Sequence, residues 1–100
     1  MDWLFIMQVL IKYLGGLSLA AKVEEEFVQT KEKSLMQFLM NLIYSKNQEF
    51  RQELLHSNTN VLKEYITIVL NGRIIPHDDL LSTEITDGDE IALLLPILGG

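Results

Sequence analysis

Two stretches of the sequence decide the fold: residues 65–75 read YITIVLNGRII, and residues 85–95 read ITDGDEIALLL. The first stretch is apolar or β-branched up to Asn71-Gly72, the strongest short signal for a hairpin turn. The second passes a turn at Asp87-Gly88 and continues as an apolar run at residues 90–95. The second half of the chain is therefore predicted to supply a hairpin and a final strand to one sheet.

The first half adds two predicted strands. Residues 8–14 are rich in Val, Ile, Tyr and Leu and stop at Gly15-Gly16, which indicates a strand followed by a turn. Residues 17–28 are expected to contain the second strand, best placed at residues 22–28. The three consecutive glutamates in that strand are typical of a solvated strand face or an edge strand, and no chemistry is assigned to them.

The principal helix is predicted at residues 34–45. Ser34 followed by Gln37 fits a capping box, in which each residue satisfies a free amide of the first helical turn. Apolar residues then recur at helical spacing and form one stripe that needs a sheet to lie on. A shorter helical piece is expected at residues 47–55, followed by a loop at residues 56–60.

The predicted order is strand, strand, helix, strand, strand, strand. This order is that of the β-grasp (ubiquitin-like) arrangement, an α+β fold with a mixed sheet of about five strands and one main helix packed across one face. Residues 1–100 are expected to form a single domain of this kind, with a flexible Gly-Gly tail at about residues 96–100. Residues 1–6 are either an extension of the first strand or precede an alternative translation start at Met7.

Composition restricts the possible functions. The chain has 100 residues, 48% of them hydrophobic, which is enough for one ordinary core. Its formal net charge of -6 provides no basic surface for phosphates, so nucleic acid is not expected as a direct ligand. The chain has no cysteine, which removes disulfides and thiol chemistry and fits a reducing compartment. The apolar opening is interrupted by Gln8 and Lys12 and is shorter than the ~20 residues of a membrane span, so we expect a cytoplasmic protein without membrane contact.

The last predicted strand has apolar residues on both faces. Period two puts Ala92 and Leu94 on the face opposite Ile91, Leu93 and Leu95. Because a single helix layer covers only one face, one of these sets must face away from the helix. Together with apolar residues elsewhere, this predicts a protein-docking face, with scattered surface residues as the alternative. The additional apolar residues are Ile74, Ile97 and Leu98.

The sequence after this strand reads PILGG at residues 96–100. Pro96 is expected to end the strand's hydrogen bonding, and Gly99-Gly100 can pass through a narrow channel because glycine has no Cβ. An α-carboxylate has a pKa near ~3.5 and is ionised at neutral pH, ready to attack an activated phosphate. A frayed terminus without function is the alternative interpretation.

These segments together resemble a known family. LNGRII at residues 70–75, ITDGDEIAL at residues 85–93 and PILGG at residues 96–100 resemble the C-terminal signature of the MoaD/ThiS group of sulfur carriers. The similarity is closest to the small subunit of molybdopterin synthase and its archaeal-type relatives. Its strong part covers about residues 61–100, and the first half agrees in the order of its elements.

The resemblance implies a mechanism in which the chain is a carrier and not itself an enzyme. The carboxylate of Gly100 would be adenylated by a partner resembling ubiquitin-activating enzyme (MoeB/ThiF-like), which uses Mg and ATP. A persulfide donor would then convert the adenylate to a thiocarboxylate. The tail would enter the large subunit of molybdopterin synthase (MoaE-like) and deliver sulfur to the pterin precursor. By position, the family's docking contacts fall on Ile74, Leu94 and Ile97, with Pro96 and Leu98 in the tail.

Several alternatives remain open at this level. The molybdopterin subunit often has two prolines before its tail, and here Leu95 replaces the first. A carrier for tRNA thiolation, for attachment to protein lysines or for thiamine synthesis would share the fold and the Gly-Gly. A ubiquitin-like binding module without covalent chemistry is a further class. No bound cofactor or metal is expected, because His56 and His77 lack metal-ligand spacing.

Overall fold

The computed structural model describes residues 6–96, which form five strands, three α-helices and a short 3₁₀ helix at His77–Asp79. The strands and α-helices are β1 Met7–Gly15, α1 Leu17–Ala21, β2 Glu25–Thr30, α2 Leu35–Ser45, α3 Gln48–Leu54, β3 Thr67–Leu70, β4 Arg73–Ile74 and β5 Glu90–Leu95.

The five strands form one mixed sheet in the order β2-β1-β5-β3-β4. β1 and β5 pair in parallel at the centre, with Ile11 opposite Ile91, and the other pairs are antiparallel. The first and last strands in sequence are therefore neighbours, and β2 and β4 lie at the two edges. This topology, with helices on one side of the sheet, confirms the predicted β-grasp fold.

The core lies between the sheet and α2. Ser34 caps the helix, its Oγ accepting a hydrogen bond from the Gln37 amide at 3.4 Å, as the capping pattern predicts. The helix buries its apolar stripe against the inward residues of the central strands, of which Ile11 and Leu93 are examples. The stripe consists of Leu35, Phe38, Leu39, Leu42 and Ile43.

Residues 17–28 begin with a helix that the sequence does not predict. The segment opens with helix α1, because Leu17, Ala20 and Ala21 follow helical spacing and are buried together in the core. Leucine and alanine are also strong helix formers. The helix ends at Lys22, whose φ of 67° is left-handed. β2 consequently begins at Glu25, three residues later than predicted.

The hairpin between β3 and β4 is confirmed. Asn71 and Gly72 have φ of 51° and 82°, the two positive values that a tight hairpin turn of this kind requires. β5 has the bounds that the sequence predicts, whereas β3 begins only at Thr67. Among residues 6–96, none of the helices has the length and hydrophobicity needed to cross a bilayer.

Candidate docking face and the base of the C-terminal segment

One face of the sheet carries no helix, as the period of β5 predicts. Strand pairing places its residues in rows across the strands, for example Lys12 beside Ala92, Ala92 beside Val69, and Val69 beside Ile74. We call this surface the uncovered face. Its members are Gln8, Leu10, Lys12, Leu14, Glu25, Phe27, Gln29, Thr67, Val69, Ile74, Glu90, Ala92 and Leu94.

The uncovered face presents large apolar side chains to solvent. Ile74 on β4 is 66% exposed and Phe27 on β2 is 67% exposed. The two most exposed apolar residues of the uncovered face therefore lie at opposite edges of the sheet. Leu14 is also exposed, whereas Leu94 between them is half-buried. An apolar surface that extends across several strands is typical of a protein-interaction site.

A single ion pair lies within this surface among the described residues. Lys12 Nζ is 3.4 Å from Glu90 Oε1, and both side chains are partly exposed. The two residues are on the neighbouring strands β1 and β5, so the ion pair connects two strands in the middle of the sheet. Such a pair contributes little to stability, on the order of 0–1 kcal/mol, but it gives an apolar surface a fixed polar point for recognition.

The predicted site residues lie on β4, on β5 and in the segment that follows β5. Ile74 and Leu94 both belong to the uncovered face, on β4 and β5. Pro96 directly follows β5 and is half-buried. The other predicted residues, which are Ile97, Leu98, Gly99 and Gly100, lie outside the described residues.

Sequence reasoning missed four apolar members of the face. Phe27 and Leu10 pair with each other between β2 and β1, and Leu14 pairs with Leu94. Val69 belongs to the apolar run at residues 65–70, which predicts a strand but does not assign its residues to a face. The alternation of side chains in β1 could have placed Leu10 and Leu14 on one face of the strand. Phe27 lies on the same face because of the register in which the edge strand β2 pairs with β1.

The base of the C-terminal segment is held by the turn after β1. Gly15 lies opposite Leu95 at the end of the parallel β1–β5 pair, and the Gly16 amide donates a hydrogen bond of 3.2 Å to the Leu95 carbonyl. Gly15 has a φ of 68°, the left-handed region that favours glycine. The sequence indicated a turn at these glycines, but not its contact with a residue about 80 positions later.

Two turns at the other end of β5 are tied together. Asn71 Nδ2 donates to Asp89 Oδ1 at 2.9 Å, and the Glu90 amide donates to Asn71 Oδ1 at 2.9 Å. Partial burial raises the pKa of Asp89, but hydrogen bonds from Asn71 and Thr86 outweigh it and hold the pKa below its ordinary value. β5 is thereby fixed at its start as well as at its end.

The described residues contain no group of three or more His, Cys, Asp or Glu that could hold a metal ion. Each histidine has a structural contact. His56 Nε2 lies 2.9 Å from Glu64 Oε1, and His77 Nε2 lies 2.6 Å from the Ile66 carbonyl oxygen.

Solved structures share this arrangement. SAMP1 of Haloferax volcanii superposes with a TM-score of 0.77 at 20% identity, covering 93% of this chain and 99% of that chain. SAMP1 of Methanosarcina acetivorans gives 0.74 at 25% identity, covering 95% and 98%. A structure described as molybdopterin converting factor, subunit 1, from Pyrococcus furiosus gives 0.67 at 24% identity, covering 91% and 99%. No curated protein sequence matches the chain.

The fold and its uncovered face define a ubiquitin-like protein of the β-grasp class. The model of the ThiS family matches residues 11–100, which include the Gly-Gly and all of the uncovered face except Gln8 and Leu10. The chain therefore belongs to the ThiS family, the MoaD/ThiS-type ubiquitin-like sulfur carriers. Members of this family are small carrier proteins and not catalytic enzymes.

Proposed function

We propose that this chain carries sulfur as a thiocarboxylate on Gly100 and donates it in molybdopterin synthesis, as the small subunit of molybdopterin synthase. One observation carries the proposal: β5 has Leu94 on the uncovered face and runs directly into Pro96. A partner that docks on this face therefore meets the segment that leads to Gly100. The PILGG sequence supports a role in molybdopterin synthesis, because its Pro-Ile-Leu resembles the C-terminal sequence of molybdopterin synthase small subunits.

The first step is activation of a poor electrophile. The Gly100 carboxylate attacks the α-phosphate of Mg-ATP on an activating partner of the MoeB/ThiF type, which forms an acyl adenylate and releases pyrophosphate. Sulfide, or the terminal sulfur of a persulfide, then attacks the acyl carbon and AMP leaves. Sulfide gives the thiocarboxylate directly. A persulfide gives an acyl disulfide, which a thiol cleaves to the thiocarboxylate while forming a disulfide with the donor.

The second step is transfer to the acceptor. The large subunit, of the MoaE type, would bind the uncovered face and receive the tail in its active site. The thiocarboxylate sulfur forms a bond to a carbon of the pterin precursor in place of an oxygen. Water then hydrolyses the resulting thioester, which leaves the sulfur on the pterin and returns Gly100 to a carboxylate. The chain itself contributes the docking surface and the reacting terminus, and ATP and Mg belong to the activating partner.

A protein modifier is the second candidate function. It is favoured by the similarity to SAMP1 of Haloferax volcanii, a small archaeal modifier protein, whose TM-score of 0.77 exceeds that of the molybdopterin converting factor. In that case a lysine amine would attack the acyl adenylate in place of sulfur, and an amide bond to the target would form. Both functions use the same activated carboxylate, so they differ only in the acceptor.

The test supplies the thiocarboxylated chain to separate acceptors. With a molybdopterin synthase large subunit and the pterin precursor, we expect a dithiolene product and return of the chain to its unmodified mass. If sulfur instead appears in tRNA with a tRNA thiolase, or the chain becomes attached to lysines, the molybdopterin assignment is wrong. The Gly100 deletion variant is the control, because it keeps the uncovered face and lacks the proposed reacting residue.

A further inference from the structure

The ends of β1 and β5 approach each other more closely than any side chain would allow. A Cβ built on Gly15 would lie 1.9 Å from the carbonyl oxygen of Leu95 and 2.9 Å from its carbonyl carbon. Both are backbone atoms, which cannot turn aside as the end of a long side chain can. Position 15 therefore requires glycine for two separate reasons, the missing Cβ and the positive φ of 68°.

This close approach lies at the point where the chain leaves the sheet. Leu95 is the last residue of β5, and its carbonyl oxygen accepts the hydrogen bond from the Gly16 amide. Pro96 follows, with a φ that its ring holds near −65°, and a residue before proline is restricted to extended conformations. The direction of the Leu95 carbonyl therefore fixes the direction in which the chain enters Pro96.

We propose that Gly15 is a positioning residue, which lets β1 close on the Leu95 carbonyl and so sets the direction in which the chain leaves the sheet toward Gly100. The inference rests on the proposed function, because direction matters only if Gly100 must reach an active site. Residues 96–100 can reach about 17 Å from Leu95 when extended, so the direction at Leu95 and Pro96 decides which region the end of the chain can reach. Misplacement of a reacting group by about 1 Å can reduce a rate by about 10²-fold.

Gly15→Ala tests the inference, and Gly16→Ala is its matched control. Gly16 has a φ of -81°, and a Cβ there would meet only the Leu95 Cδ2 atom, at an ordinary 3.8 Å. The control adds the same methyl group one residue away and keeps the donating amide. The two variants therefore differ in whether they push β1 away from the Leu95 backbone.

The assay is adenylation by the activating enzyme, measured as pyrophosphate release over a range of carrier concentrations. The folded fraction of each variant is measured under the same conditions and used to correct the carrier concentration. For Gly15→Ala we expect kcat to fall by about tenfold or more, with KM changed by less than about threefold, because the uncovered face still docks. Gly16→Ala should match the wild type in both parameters.

A second variant covers the case in which Gly15→Ala does not fold. Gly16→Pro removes the amide that donates to Leu95, and the φ of Gly16 is close to the proline value. It also disfavours the left-handed conformation of Gly15, because a residue before proline is restricted to extended conformations. It should lower kcat in the same way without a side chain at position 15.

The outcomes separate this inference from the proposed function. If the wild-type chain is not adenylated at all, the proposed function fails and the positioning role fails with it. If the wild type is adenylated and both Gly15→Ala and Gly16→Pro keep its kcat, only the positioning role is overturned. A raised KM with unchanged kcat also overturns it, because Gly15 would then act through docking, for example by moving Leu94.

Discussion

The hydroxyl of Tyr13 donates a hydrogen bond of 2.7 Å to Glu26 Oε2, and Lys46 Nζ lies 2.6 Å from the same oxygen. The Lys46 ammonium is also 5.4 Å from the centre of the Tyr13 ring. The Tyr13 and Phe50 rings pack nearly perpendicular to each other, with their centres 5.5 Å apart. These side chains join β1, β2 and the end of α2 on the helix side of the sheet. Burial, with the bond to Glu26, raises the pKa of the Tyr13 hydroxyl, so it remains a donor at more alkaline pH than an ordinary tyrosine.

Glu26 gives the protein a pH-dependent contribution to stability. Partial burial raises its pKa, but hydrogen bonds from Lys46 and Tyr13 and the Lys46 charge outweigh it, so the pKa lies below its ordinary value of 4.5. A depressed folded-state pKa stabilises the protein above the unfolded value, and this stabilisation is lost as the pH falls through the folded value. We expect Glu26→Gln to have a lower free energy of unfolding than the wild type at pH 7. This difference should disappear as the pH falls below 4.5 and Glu26 becomes protonated in the folded wild type.

Urea unfolding at several pH values measures this difference. Glu25→Gln is the control, because Glu25 is an exposed carboxylate on the same strand. A deficit for Glu26→Gln that stays constant down to acid pH would show that Glu26 acts through packing and not through its charge.

The Asn71 side chain is predicted to stabilise the start of β5. Asn71→Gly keeps a residue that tolerates positive φ but loses the two side-chain hydrogen bonds, and should cost about 1–2 kcal/mol. Asn71→Ala adds the cost of a left-handed alanine, about 1–2 kcal/mol more. Thermal or urea unfolding of both variants checks the order. Equal stability of the two variants would mean that the turn conformation contributes nothing.

The uncovered face is predicted to bind the activating enzyme. Ile74→Ser and Phe27→Ser should each weaken binding by about tenfold, or about 1.4 kcal/mol, because a buried apolar contact is lost at the interface. Leu81→Ser is a matched control, since Leu81 is 66% exposed, like Ile74, but lies in the loop beside the start of α2. Calorimetric titration gives the Kd of each variant. Equal weakening by Leu81→Ser would move the docking site off the sheet.

Much of the fold could be predicted because its signals are local. Asn71-Gly72, the stripe of α2 and the alternation in β5 each lie within a dozen residues, and all were confirmed. Helix α1 was missed because five residues of Leu-Ser-Leu-Ala-Ala fit a short apolar strand as well as a helix, and only burial against the core decides between them. Short apolar runs are ambiguous in this way.

The candidate site was predicted only in part, because its remaining contacts connect distant parts of the chain. The position of Leu94 on the uncovered face follows from the alternation of side chains in β5, but Phe27 joins it only through the register of β2 on β1. The contact between Gly15 and Leu95 depends on the parallel pairing of the first and last strands. The sequence indicated that Gly15-Gly16 forms a turn, but not that the turn closes on the base of the C-terminal segment.

The most direct measurement is the intact mass of the chain after incubation with a cognate activating enzyme, Mg-ATP and sulfide. We expect one oxygen to be replaced by one sulfur, and we expect the change to be absent without ATP and in the Gly100 deletion variant. An unchanged mass, with an enzyme and sulfide source that thiocarboxylate another carrier in parallel, would contradict sulfur transfer through Gly100. The uncovered face would then serve a binding module without covalent chemistry.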